Sequence, residues 1–170
     1  MISQRSDAAV IAIALLQLTK GLRMTLISWL IQMSIPILGF FYKPKPWPHS
    51  LDKMRSMEVG TLGRTIASWL DKCGLQLIPK YETHDVKHVL AGYPMTSLGE
   101  IRLQAFLYGN GSRSLPTLGV FAIGLVLLPE HWSTFMADLK RGTYCEPLHK
   151  QDLASLVPQN LKAIKNQLGL

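Results

Sequence analysis

The chain has 170 residues, 48% apolar and 17% charged, with a formal net charge of +7. The length suits one domain with a real core, and a charged fraction below the roughly 25% usual for soluble domains points to a partner other than water. The basic balance suits an anionic lipid surface or an acidic ligand, while the lack of a basic stripe with interleaved aromatics argues against nucleic acid.

In chain order, the first feature is the apolar run AAVIAIALLQL, Ala8 to Leu18, interrupted by Lys20 and Arg23. Arg5 alone precedes it as a basic residue and no small-x-small cleavage site follows, so a signal peptide is not expected. The segment is also too apolar and too poor in arginine for a mitochondrial presequence. From Met24 to Tyr42 no side chain is charged, which is close to the length of a spanning helix. Gln32, Ser34 and Pro36 weaken that run and Gly39 helps break it. The expectation is a helix lying in the membrane interface or over the core rather than a span, with Trp29 as a lipid-contacting residue. The stretch YKPKPWPHS, Tyr42 to Ser50, reads as a Pro-rich linker whose Lys43 and Lys45 can meet lipid headgroups. The predicted organisation is therefore residues 1–48 as an apolar membrane-associating segment with its linker, and residues 49–170 as a helical domain.

Thr61 is a predicted N-cap for LGRTIASWLDKC, in which Leu62, Ile66, Trp69 and Leu70 recur at helical spacing and Gly74 supplies the stop. A second helix runs through HVLA into the break GYPMTS. A third, LGEIRLQAFLYG, is closed by Gly109 and Gly111. Thr117 to Leu128 is apolar all round between Pro116 and Pro129, which predicts a buried or lipid-contacting helix. Its Phe121 and Leu125 are candidates to line a channel for a lipid tail, or equally to serve as ordinary core. In HWSTFMADLKRG, Trp132, Phe135, Met136 and Leu139 share a face. Leu153, Leu156, Leu161, Ile164 and Leu168 make a last amphipathic stretch that Pro158 divides. No segment alternates with period two between turn signals, so an all-α, single-domain helical bundle is predicted. Cys73 and Cys145 form no C-x-x-C pair and are expected to be free thiols.

The chemistry is concentrated in THDVKHVLAGYPMTSLGE, Thr83 to Glu100. Positions i and i+4 of a helix share a face, so His84 and His88 can reach one ion, with Asp85 on nearly the same side. Gly92 and Pro94 end that helix and Ser97 begins the next. An antiparallel hairpin then brings Glu100 to the height of the histidines, with the axes about 8–10 Å apart. Gly99 has no side chain to obstruct the approach. Other readings exist for single members: Ser97-x-x-Glu100 fits a capping box, and Asp85 in a first turn complements the helix dipole. A mixed nitrogen and oxygen set without sulfur suits zinc, manganese, iron or cobalt, and magnesium less well. Tyr93, in the turn, is a packing aromatic or a proton donor. A metal phosphohydrolase would instead draw outer ligands from His49 and Asp138, but His49 lies in the Pro-rich linker and Glu100 would be idle.

The order His84-Asp85-x-x-His88, eleven residues, Glu100 resembles the signature of the ubiquinone (coenzyme Q) biosynthesis protein Coq-four family. The surroundings HDVKHVLAGYPMTSLGEIRLQAF resemble it too, as does GTLGRTIASWLDKCGL upstream, and the likeness extends over about Met57 to Leu170. The resemblance implies an all-α domain over 49–170 with a metal site between two helices of a hairpin. It implies a divalent ion on His84, Asp85, His88 and Glu100, zinc first, with cobalt, iron, manganese or magnesium as alternatives. The activity it implies is replacement of the ring carboxylate of a polyprenyl-hydroxybenzoate by hydroxyl at ring carbon one. A non-catalytic, lipid-presenting role is the alternative. The implied partners are a polyprenyl lipid, a membrane surface and other quinone-biosynthesis proteins, and a homo-oligomer is compatible. The expected location is the cytoplasmic face of a bacterial inner membrane, or the matrix side of the mitochondrial inner membrane in a eukaryote.

Overall fold

A computed structural model describes residues 19–33 and 46–170. The run Ala8–Leu18, the second half of the Met24–Tyr42 run, and Lys43 and Lys45 lie outside the described residues. The elements are α1 (described over 19–33), α2 (Leu51–Arg55), α3 (Leu62–Cys73), α4 (Glu82–Ala91), α5 (Ser97–Gly109), α6 (Leu115–Leu127), α7 (Trp132–Thr143), α8 (Leu153–Leu156) and α9 (Leu161–Leu168). Short 3-10 turns at Pro129–His131 and Leu148–Lys150 flank α7. The domain is all-α. Among the described residues the β-type pairing is a single isolated bridge between Thr61 and Asn160.

Local chemistry explains the boundaries. The Thr61 hydroxyl accepts the Arg64 amide at 3.2 Å and starts α3. Gly74 ends it at φ +64°, a left-handed conformation that glycine adopts without a Cβ penalty. Ser114 caps α6 with Pro116 in the first turn, so that helix begins two residues before the predicted start at Thr117. The last amphipathic stretch divides around Pro158 into α8 and α9, as its pattern predicts.

Central to the bundle is α5, which is apolar on nearly every side and buried accordingly. Leu103, Phe106 and Leu107 face a first core built with α3, α4, α8 and α9. Ile101 and Ala105 face a second core that holds Ile27 of α1, Val120 and Phe121 of α6, and Phe135 of α7. Residues 19–33 are thus docked on the helical domain: Ile27 is wholly buried, and Arg23 pairs with Glu130 at 2.9 Å and donates to the Leu127 carbonyl at 3.0 Å. Among the described residues no single helix is long and apolar enough to cross a membrane.

The face of α7 differs from the predicted one. Phe135 and Leu139 do pack inward, but Trp132 is 52% and Met136 46% exposed. The inward positions are completed instead by Asp138 and Gly142. The reason is close backbone contact: a Cβ on Gly142 would collide with the Phe106 carbonyl, and one on Gly109 with the Leu139 carbonyl. The two helices therefore cross where each carries a glycine, and the smallest residue replaces an apolar knob. Cys73 is exposed and Cys145 buried, both as free thiols.

Because the obstructing atoms at this crossing are backbone, the helices must separate to admit a methyl group. Gly142→Ala is expected to lower stability by about 1–3 kcal/mol, read as a lower urea midpoint at unchanged slope.

Candidate metal centre

Two helices and the turn between them make the site. α4 carries Glu82 and Asp85 in its first turn, where negative charge meets the helix dipole favourably. It ends at Gly92, φ +77°, whose amide donates to the His88 carbonyl at 2.8 Å. Thr96 then caps α5, accepting the Gly99 amide at 3.1 Å. This single-residue placement decides between two readings of Glu100. With Thr96 as N-cap the third helical position is Gly99, so Glu100 is not in capping-box register. Gly99 serves the hairpin in its own way: the Pro94 carbonyl sits where a Cβ would be, so the turn folds tightly onto α5.

Glu100 points back at α4. Its Oε2 lies 2.9 Å from His84 Nε2 and 2.9 Å from His88 Nε2, and the two imidazole nitrogens are 3.0 Å apart. The other carboxylate oxygen accepts from Gln104 Nε2 at 2.6 Å. His88 is 2% and Glu100 14% exposed, and His84 is about a third exposed. Burial works against ionising Glu100, but hydrogen bonds and charge from the two imidazoles hold its carboxyl well below the usual range. Burial disfavours charged His84, and Glu100 more than offsets this, so its pKa is raised.

The donor set fits a divalent cation. His88 Nδ1 donates to the Tyr93 carbonyl at 3.0 Å, so in the neutral ring Nε2 presents a lone pair to Glu100 and His84. Three converging lone-pair atoms repel unless a proton or a cation lies among them. Tetrahedral coordination with bonds of about 2.0–2.1 Å separates ligand atoms by about 3.3 Å, a few tenths of an ångström beyond the contacts seen. His84, His88 and Glu100 thus form a group able to hold a metal.

Asp85 is not in that group. It is 8% exposed, and burial pushes its carboxyl up to about 6 against the opposing pull of His84 and His88. His49 and Asp138 are elsewhere engaged: His49 Nε2 meets the Ala154 carbonyl at 2.9 Å, and Asp138 accepts from Tyr93 and Arg102. Phe121 is buried in the second core against the Tyr108 ring, Leu125 is partly buried beside it, and Trp29 is 57% exposed on α1. None of these three lines the groove of about 310 Å³ that opens beside His88. That groove is formed by Thr65 and Trp69 of α3, Val89 of α4 and the turn residues Gly92, Tyr93 and Pro94.

Sequence reading gave no site role to Gln104, Trp69 or Lys87. The signal for Gln104 was present: a polar residue one turn after Glu100 on the same helix face. Trp69, whose ring lies 6.1 Å from that of His88, looks in sequence like any core aromatic. Burial lowers the pKa of Lys87, with Glu100 opposing. No local pattern announces that.

No family model matches the chain. Among curated proteins it is similar to the mitochondrial ubiquinone biosynthesis protein COQ4 of Yarrowia lipolytica, 37% identical over 46% of this chain and 35% of the relative. The COQ4 protein of Ajellomyces capsulatus is 30% identical over 51% and 37%, and that of Botryotinia fuckeliana 22% identical over 71% and 51%. The chain therefore spans about a third to a half of the length of these curated relatives. A crystal structure of a Nostoc punctiforme protein, provisionally named for ubiquinone biosynthesis, shares the fold. Its TM-score is 0.56 at 22% identity, covering 89% of this chain and 81% of that one. The resemblance to the Coq-four family read from the motif is thereby shown.

A carboxyl raised from 3.8 to about 6 binds more protons in the folded than in the unfolded state between those pH values, so its contribution to stability falls as pH rises through them. In metal-free protein Asp85→Asn is expected to remove that fall. It should raise stability at neutral pH on the order of 2–3 kcal/mol, measured by denaturant titration across pH.

Proposed function

We propose that the chain is a metal-dependent, membrane-associated protein of ubiquinone biosynthesis that acts on or presents a polyprenyl-hydroxybenzoate intermediate. The observation that carries this reading is the convergence of His84, His88 and Glu100 within hydrogen-bond distance of one another, with His88 also lining a groove. The relatives named for ubiquinone biosynthesis supply the pathway. A divalent ion held by these residues, zinc first, would supply Lewis acidity toward a phenolic or carboxylate oxygen of an aromatic ring. The chain's own contribution is to hold that ring. The largely apolar groove would receive it between Trp69 and Pro94, and Gln104 keeps Glu100 turned toward the histidines. Asp85, one residue from His84, adds negative charge that favours a cation, and we propose it as a fourth, looser ligand.

A polyprenyl tail already has its gain of about 0.8 kcal/mol per methylene in a bilayer, so extraction into protein brings little more. The protein must therefore work at the membrane surface. α1 offers a surface for this: Leu22, Leu26, Trp29 and Met33 are 62%, 45%, 57% and 48% exposed. They recur at steps of four, three and four residues along one face. The relatives' names say mitochondrial, and of the two expected locations we propose the matrix side of the inner membrane, with other quinone-biosynthesis proteins as partners.

A second reading, a non-catalytic scaffold that presents prenyl lipid, is favoured by the state of Tyr93. Its hydroxyl donates to Asp138 at 2.8 Å, and burial together with Asp138 raises its pKa, so it is poorly suited to deliver a proton.

Purified wild-type protein is expected to carry about one equivalent of metal, and the His84→Ala, Glu100→Ala double variant none. Elemental analysis decides, and metal retained by the variant sinks the site. Turnover of a prenylated hydroxybenzoate, set against co-purified lipid without turnover, separates enzyme from scaffold. Replacing Leu26 and Trp29 by glutamate is expected to cut co-sedimentation with anionic vesicles at least about tenfold.

A further inference from the structure

Between the ligand-bearing helices one turn residue touches both the candidate centre and the far side of the bundle. The Tyr93 carbonyl accepts from His88 Nδ1 at 3.0 Å in a buried contact, and the Tyr93 amide donates to the His88 carbonyl at 3.1 Å. A carbonyl only accepts, so this contact calls for a proton on Nδ1 and aims Nε2 at Glu100, where a second proton or a cation must stand between them. The phenol of the same residue runs the other way. It donates to Asp138 Oδ1 at 2.8 Å, and Arg102 grips that carboxylate through Nε at 2.7 Å and Nη2 at 3.1 Å. Arg141 of α7 donates to the Ala91 carbonyl at 2.8 Å and to the Tyr93 hydroxyl at 3.2 Å. Both guanidinium groups also lie over the Tyr93 ring, at 5.3 and 5.5 Å.

Tyr93 is 3% and Asp138 5% exposed. Fastening a turn needs no buried carboxylate, because an apolar side chain of the same shape does so without desolvating a charge. What the charged arrangement adds is direction. A phenol hydrogen-bonded at one end has its ring, and hence its peptide, held in one place. Partners that orient a ligating imidazole through its second nitrogen typically change metal affinity 10–100-fold when lost.

We propose that Tyr93 is the positioning residue of this centre. Asp138 and Arg102 anchor its phenol, and its carbonyl fixes the tautomer and ring plane of His88, so that α7 governs how tightly a divalent cation is held. The affinity half of this proposal rests on the metal reading above; the tautomer half does not.

The test uses Tyr93→Phe, which keeps the ring and removes the anchor, with Asp138→Asn as a second variant and the core truncation Ile164→Val as a control for lost stability. Nitrogen-15 spectra of the histidine rings, taken on metal-free protein at mildly alkaline pH, are expected to show His88 protonated at Nδ1 in wild type and control, and a tautomer mixture in both anchor variants. Competition with a chromophoric chelator is expected to show cobalt(II) held about 10–100-fold more weakly in the anchor variants, with an altered visible spectrum, and unchanged in the control. An unchanged tautomer in Tyr93→Phe, or unchanged affinity in a protein that binds cobalt, overturns the proposal. A wild-type protein that binds no cobalt sinks the metal centre and the affinity claim with it, while the tautomer comparison still decides whether Tyr93 holds His88.

Discussion

A carboxylate buried one turn into an apolar helix has to be compensated, and the compensation of Glu100 organises everything around it. Two imidazoles from α4 meet one of its oxygens and Gln104 meets the other. Leaving such a group unpaired would cost several kcal/mol, so the hairpin cannot open by much without losing its partners. The turn is built to the same end. Gly92 supplies the left-handed residue that stops α4, Thr96 starts α5, and Gly99 lets the Pro94 backbone lie directly on the helix.

The precision this requires comes from α5 being a shared wall. One side packs the core that contains the ligand helix α4, and the other packs α1, α6 and α7. A helix gripped on both sides has little freedom to rotate or slide, and Glu100 inherits that rigidity. The same sharing links the surface at α1 to the candidate metal centre through one rigid element. Ile27 of α1 and Ile101 of α5 lie in the same apolar cluster, one residue from Glu100. The stripe proposed to meet lipid and the groove beside His88 are thus parts of one packed body.

Elements and motif were legible because they depend on local rules. The caps at Thr61 and Gly74, the break at Gly92–Pro94 and the split at Pro158 all follow from backbone preferences that each residue carries by itself. The spacing of His84, His88 and Glu100 was readable for the same reason, since helical periodicity and a short turn leave few ways to arrange them. The face of α7 was not readable. Apolar pattern nominated Trp132 and Met136, but close crossing at Gly109 and Gly142 turned a polar residue, Asp138, and a glycine inward. Pattern counts apolar side chains, whereas crossing helices select for small ones and for buried charges that find partners.

From sequence alone came the all-α class, the limits of α3, α5, α6 and α7 to within two residues, and four side chains expected to hold a cation, His84, Asp85, His88 and Glu100; these need only periodicity and φ/ψ preference. Tertiary structure decided that His84, His88 and Glu100 converge within hydrogen-bond distance, that Phe121 packs in a core, and that Tyr93 joins His88 to Asp138. Each of these depends on which surfaces of distant segments meet, and contact between residues 45 positions apart, as for Tyr93 and Asp138, leaves no periodic trace in the chain.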